Sequence, residues 1–448
     1  MNRQIINFEQ LEKFSSKFKQ RENNKVIANA IIKNGINNTA LNNESVKKMH
    51  HDFSQEIDVG SVTNQKKSGR CWMFAALNNI RYSISKSLNI KEHNFELSQS
   101  YTMFWDKLEK ANYFLENIIS TADLELDSRR VMWLLNEPTN DGGQWDMFTA
   151  LIEKYGIVPK YVMPETYHSS NSRLMNKILN LKLRDQAHTL RSDFNHGADK
   201  ESLREEKEVL LEEIYSLLAY FLGEPPQEFD FEYKDKEGHF YRDSSLSPME
   251  FYNKYSKVKM TDYVSIINAP TTDKDFYKTY TVEFLGNVKE GQKIHYLNLP
   301  IEKLKELSKS QISDGEPVWF GCDVGQWYDR DLGIMDTELF NYEEVLDTKF
   351  KLDKGSRLQY GESVLTHAMV FTGVNIDNNG NVNRWKVQNS WGDKVGKDGF
   401  FIMSEQWFEE FNYEVVINKK YLSDELLEAY AKDPIVLKPW DPMGSLAR

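Results

Sequence analysis

Apolar residues recur at helical spacing along the first half of the chain. Phe8, Leu11, Phe14 and Phe18, then Val26, Ile27, Ala30 and Ile31, predict two helices separated by the polar Arg21-Glu-Asn-Asn24 break. They read as a helical preface, running to about Lys48, packed on the main body. Asp58 to Thr63 runs extended into Cys71, Trp72, Phe74, Ala75, Leu77 and Ile80, whose spacing is again helical. Further helices are predicted after Leu97 (Met103, Phe104, Leu108), over Asp127 to Leu135, and from Gln144 to Tyr155, where Gly156 stops the pattern. Leu174, Ile178 and Leu181 mark another, and Leu203, Leu210, Ile214, Leu217 and Phe221 a longer one ended by Gly223 and Pro225-Pro226.

The pattern then shortens. Phe229 to Tyr241, with Lys236-Glu-Gly238 at its centre, predicts a hairpin, and Thr281 to Tyr296 a second around Lys289-Glu-Gly291. Ile301 to Leu307 is a short helix, and Pro317-Val-Trp-Phe-Gly-Cys-Asp-Val324 an apolar strand that buries Cys322 in a core. Val364 to Gly373 and Arg384 to Gly392 predict antiparallel strands joined through Asn379-Gly380, the dipeptide of tight hairpin turns.

The 448 residues suffice for a sizeable interior, and 13% aromatic content excludes a disordered chain. A net charge of −12 argues against a general polyanion binder, which needs a surplus of Lys and Arg over its surface. Two cysteines, Cys71 and Cys322, give no disulfide framework, and no Cys/His spacing suggests a metal site. The first residues lack an apolar signal core and no apolar run is long enough to span a membrane, so a cytoplasmic protein with free thiols is expected.

Candidate chemistry centres on Cys71. A lone cysteine is most often a small buried hydrophobe, so partners decide. At a helix N-terminus, unpaired N–H groups and the helix dipole favour thiolate, the nucleophilic form. Gln65, six residues upstream, could swing its amide in front of the sulfur and, with the Cys71 N–H, form an oxyanion hole. Folding the chain about Asn379-Gly380 brings His367 and Asn389 together on strands roughly 4.8 Å apart. Asn389 could then accept from one ring nitrogen and turn the other toward a thiol, with Trp391 shielding that bond from water. The Gly142-Gly143 pair would let a ligand backbone approach closely. His50, His51, His188, His239 and His295 have no such partner in sequence and are discounted.

Gln65, Gly-Arg-Cys71-Trp72, Gly142-Gly143, His367 and Asn389-Ser-Trp391-Gly392 stand in the order seen in papain-like cysteine peptidases. The strings Asn64-Gln65, Ser68-Gly-Arg-Cys71-Trp72, Val318 to Val324, Leu365-Thr-His367-Ala-Met-Val and Pro442-Met-Gly resemble the bleomycin hydrolase/aminopeptidase C branch, over most of the chain. The resemblance implies an α+β, papain-like fold: a helical domain, an antiparallel barrel-like β domain, and a large, mainly helical insertion accounting for the 296 residues between Cys71 and His367. Expected divisions are a helical extension over 1–57, the nucleophile domain over 58–166, an oligomerising insertion over 167–300, the β domain over 301–427 and a C-terminal arm over 428–448. It also implies catalytic roles for Cys71, His367, Asn389 and Gln65, a homohexamer, and no cofactor or metal.

In the resembled branch the arm enters its own cleft and its terminal carboxylate faces the substrate's α-ammonium, so peptides with free N-termini lose one residue at a time. Ala447 would be that terminus once Arg448 is removed by the enzyme itself. The expectation is an intracellular cysteine aminopeptidase. Hydrolysis of small amides or thiolactones, and a single-strand nucleic-acid-binding ring, are the alternatives, the acidic balance disfavouring nucleic acid.

Overall fold

Every predicted helix forms, and several of the apolar stripes are bounded by a residue that satisfies free N–H groups or by one that stops the helix. Ser98 caps the helix Gln99–Ser120 through the Tyr101 N–H, Asp199 caps Lys200–Leu222, and Gly156, at φ +67°, ends Trp145–Tyr155. The computed structural model describes residues 4–90 and 95–447.

A mixed sheet organises the described residues. In spatial order its strands are Ile435–Leu437, Lys278–Val282, Tyr296–Asn298, Tyr263–Ile267, Asn412–Asn418, Val318–Cys322, His367–Ile376, Val382–Gln388, Phe400–Ser404, Ile334–Met335 and Tyr328–Asp329. Gln55–Glu56 adds a short strand beside His367–Ile376. Most pairs are antiparallel, with parallel ones toward both edges.

Alternation along the central strands feeds two separate cores. Trp319, Ala368 and Val370 pack on the side of the Cys71–Ser87 helix, while Val318, Phe320, Cys322, Met369 and Phe371 join the opposite layer under helices Ile301–Ser313 and Glu405–Phe411. Helices Gln99–Ser120, Trp145–Tyr155, Arg173–Asn195 and Lys200–Leu222 complete the first layer.

Several expectations change. The helix Phe8–Gln20 forms but buries nothing: Phe8 is 86% exposed, and Leu11, Phe14 and Phe18 also face solvent, so it is not packed on the body as expected. On Arg173–Asn195 the marked face is not the buried one. Leu174 and Leu181 are 54% and 69% exposed, while Met175, Leu179, Leu183 and Leu190 turn inward. Both stripes have helical period, and only the neighbouring helices choose between them. The first hairpin forms as strands Phe229–Lys234 and Phe240–Leu246. The second does not close at Lys289-Glu-Gly291: its strands, Lys278–Val282 and Tyr296–Asn298, pair antiparallel across a long loop and lie within the large sheet.

Candidate active site

Cys71 is the first residue of its helix, and the Trp72 carbonyl accepts from the Trp319 indole N–H at 3.0 Å, fixing that helix end to the sheet. The sulfur accepts from the backbone N–H of Ala368, 3.4 Å away and adjacent to His367. Residues separated by 297 positions therefore meet where the helix N-terminus abuts the strand.

The predicted hairpin brings the other pair together. Val370 lies opposite Gln388, and beyond that register His367 Nε2 sits 2.8 Å from Asn389 Oδ1. The same oxygen accepts from the Ser390 N–H at 2.7 Å, which identifies it as the carbonyl end of the amide. An amide oxygen only accepts, so Nε2 carries the proton and Nδ1 of the neutral ring keeps its lone pair. The Trp391 ring lies 4.8 Å from the imidazole, centroid to centroid.

Gln65 reaches the site by a seam between two distant stretches of the chain. Its N–H donates to the Ser390 carbonyl at 2.8 Å, and Gly392 N–H donates to Thr63 at 3.0 Å. Gly392 is required there: its φ is +78°, and a Cβ would fall 2.4 Å from the Asn64 amide. The Gln65 side chain is more tethered than expected, its Nε2 donating to the Ser68 carbonyl and its Oε1 accepting from Ser390 Oγ, both at 2.6 Å. A second N–H on Nε2 remains for a ligand.

Gly142 and Gly143 are buried, and a Cβ at 143 would lie 2.4 Å from the Trp72 indole, a packing reason for glycine at 143 independent of any ligand. The C-terminal segment packs close to the His367 strand. A terminal 3-10 helix spans Pro442–Ala447, with Met443 and Leu446 buried. The Met443 carbonyl accepts from Tyr296 and Gln144, and Ser445 Oγ donates at 2.8 Å to the carbonyl of Leu365, two residues before His367. Arg448 lies outside the described residues.

Electrostatics depart from the expectation of a ready thiolate. Burial pushes the Cys71 thiol up to about 11, outweighing the N–H groups of Ala368, Trp72 and Cys71 itself, which favour the charged form. Burial likewise pushes the His367 ring down to about 4 against the Asn389 hydrogen bond. A helix end inside the protein loses more to desolvation than its dipole returns. Cys322, fully buried opposite His367 in the sheet register, has its thiol pushed higher still by burial and by Asp323.

Sequence reasoning missed the supports of the nucleophile loop. Asp141 accepts from the Gly69 N–H at 3.0 Å and pairs with buried Lys107 at 2.8 Å, while its own carbonyl takes the Trp72 indole N–H. Burial opposes its charge, yet Lys107, Ser172 and Asn176 hold the carboxyl well below the usual range. Arg70, fully buried, forks onto Glu165 at 2.7 and 3.1 Å and donates to Ser68 Oγ at 2.9 Å. For Lys107 the available signal was the cluster Asp106, Lys107 and Lys110 among the apolar residues of its helix.

The model of the Peptidase C1-like family matches residues 5–444. The aminopeptidase C of Listeria innocua is 52% identical over 442 residues, 99% of each chain. That of Streptococcus thermophilus is 49% identical over 421 residues, 94% of each. Among solved structures, PepW of Lactobacillus rhamnosis superposes with a TM-score of 0.96 at 51% identity, covering 98% of this chain and 99% of its own. The fold is thus α+β and papain-like, and the chain belongs to the Peptidase C1-like family, as a cysteine peptidase standing with the aminopeptidases C.

Proposed function

We propose that this cysteine-type aminopeptidase works through an acyl-enzyme on Cys71, releasing single residues from peptides with a free N-terminus. The carrying observation is the Asn389 Oδ1 contact that keeps the proton on His367 Nε2, leaving Nδ1 as a base for the thiol. Neither group is charged by itself in this buried setting, so thiolate and imidazolium form together by proton transfer, each stabilising the other. The thiolate attacks the carbonyl after the first residue. The second Gln65 N–H and the Cys71 N–H receive the oxyanion, His367 returns its proton to the leaving amine, and water releases the acyl group. Gly142 and Gly143 flank the bound residue. The arm fills the cleft beyond it, and the carboxylate at Ala447, after loss of Arg448, pairs with the substrate ammonium.

Turnover of aminoacyl p-nitroanilides tests this reading. The protein should cleave the free-amine substrate and ignore its N-acetylated twin, and Cys71→Ala should cleave neither; a Cys71→Ala protein acting at the parent rate would refute it.

A cytoplasmic homohexamer completes the proposal. The exposed apolar face of Phe8–Gln20 supports self-association, since an unpartnered stripe of Phe8, Leu11, Phe14 and Phe18 is costly in water. Among the described residues no helix is long and apolar enough to cross a membrane. Light scattering should give six times the mass of one chain, and a monomer would end this part.

A further inference from the structure

The start of the C-terminal arm is held by a buried ion pair. Lys274, whose side chain is 2% exposed, places Nζ 2.8 Å from Asp441 Oδ2. The other carboxylate oxygen of Asp441 accepts from the Met443 N–H at 2.9 Å, and its carbonyl accepts from the Gly444 N–H at 3.0 Å. Asp441 is thus both the cap of the terminal 3-10 helix and the anion that ties it down. Lys274 itself is immobilised, because its carbonyl accepts from Asn298 Nδ2 at 3.1 Å and Asn298 is fully buried in the sheet. Just before Asp441, the Arg129 guanidinium stacks 3.6 Å over the Trp440 ring, and the preceding strand Ile435–Leu437 pairs with Lys278–Val282.

The chain is therefore clamped up to Asp441, and beyond it the last turn is held by buried Met443 and Leu446, by Ser445 Oγ on Leu365 and by the two hydrogen bonds to the Met443 carbonyl. Removing one member of a buried, hydrogen-bonded pair strands the other, the costly way to lose a salt bridge. Asp273 also pairs with Lys274, at 2.9 Å, so the lysine keeps one anion if Asp441 is neutralised.

We propose that Lys274 is a positioning residue that, through its buried pair with Asp441, seats the C-terminal arm and so confines the enzyme to peptides with free N-termini. This rests on the reading of the arm as the element that blocks longer peptides. With the pair broken, the last turn leaves the cleft for part of the time, and substrates extended beyond the first residue gain entry while the ammonium loses its partner.

The test compares full-length parent, Lys274→Met, Asp441→Asn, Lys274→Arg and Leu446→Asp on a free aminoacyl p-nitroanilide and on an N-blocked dipeptidyl p-nitroanilide, with alkylation of Cys71 counting folded sites. Asp441→Asn keeps the cap oxygen and removes only the charge. The expected result is a rise of about tenfold or more in the blocked-to-free ratio of kcat/KM for Lys274→Met and Asp441→Asn, with Cys71 still titratable and Lys274→Arg returning toward the parent ratio. A merely structural loss would lower both rates together and leave the ratio unmoved, and that outcome overturns the proposal. Leu446→Asp drives a charge into the buried end of the arm without touching Lys274. If it raises the ratio and the Lys274 variants do not, the blocking reading stands and the role of Lys274 is wrong; if no variant raises it, both fall.

Discussion

His367 and Asn389, 22 residues apart, meet at 2.8 Å, and the bond has a direction: the imidazole Nε2 donates and the amide oxygen accepts. That direction leaves the basic lone pair on Nδ1. Replacing Asn389 with Ala should lower kcat by about 10- to 10²-fold with a smaller change in KM, since the ring stays and only its tautomer and aim are loosened. Steady-state kinetics on one aminoacyl substrate decides it, and an unchanged kcat would remove Asn389 from the mechanism.

The two thiols are set apart by access as well as by partner. Cys71 is 5% exposed and hydrogen-bonded, whereas Cys322 is fully buried with its thiol pushed up by burial. A substoichiometric alkylator should label Cys71 and abolish activity in proportion, as peptide mapping would show; equal labelling of Cys322 would contradict the assignment.

Acid should silence the enzyme late. The ring acts as base only when unprotonated, and burial pushes it from 6.5 down to about 4. The free-enzyme profile, kcat/KM against pH, should therefore stay level from neutrality to about pH 5 and fall around pH 4. A midpoint near the ordinary histidine value would mean that the ring is not desolvated in solution.

Asp141 links the stability of the nucleophile loop to pH. Its carboxyl is held well below its ordinary 3.8, so the folded state keeps the charge where the unfolded chain takes up a proton. The stabilisation is complete above that ordinary value and drains away as pH falls below it. Asp141→Ala strands buried Lys107 and should cost about 3–5 kcal/mol, lowering Tm and kcat together and flattening the acid arm of the stability curve. A parent-like Tm would show that the loop is held by Arg70 and Glu165 alone.

Intact-mass measurement addresses the terminus. Active protein should lack one arginine relative to its sequence, and a Cys71→Ala variant should retain Arg448. Retention in both would exclude self-trimming and leave the ammonium partner to be found elsewhere.

Much of the molecule was readable from local chemistry. Apolar period placed the Cys71–Ser87 helix, Asn379-Gly380 fixed the hairpin, with Gly380 at φ +86°, and counting outward from that turn paired His367 with Asn389. These inferences succeed because period and turn geometry are properties of a few neighbouring residues. What only the tertiary structure decided is which face each helix buries, how far desolvation outweighs the helix dipole at Cys71, and where the charges of Asp141 and Asp441 find Lys107 and Lys274. Those answers depend on groups brought close from distant positions, and the energy of a buried charge is set by every neighbour that replaces its water, which no local pattern encodes.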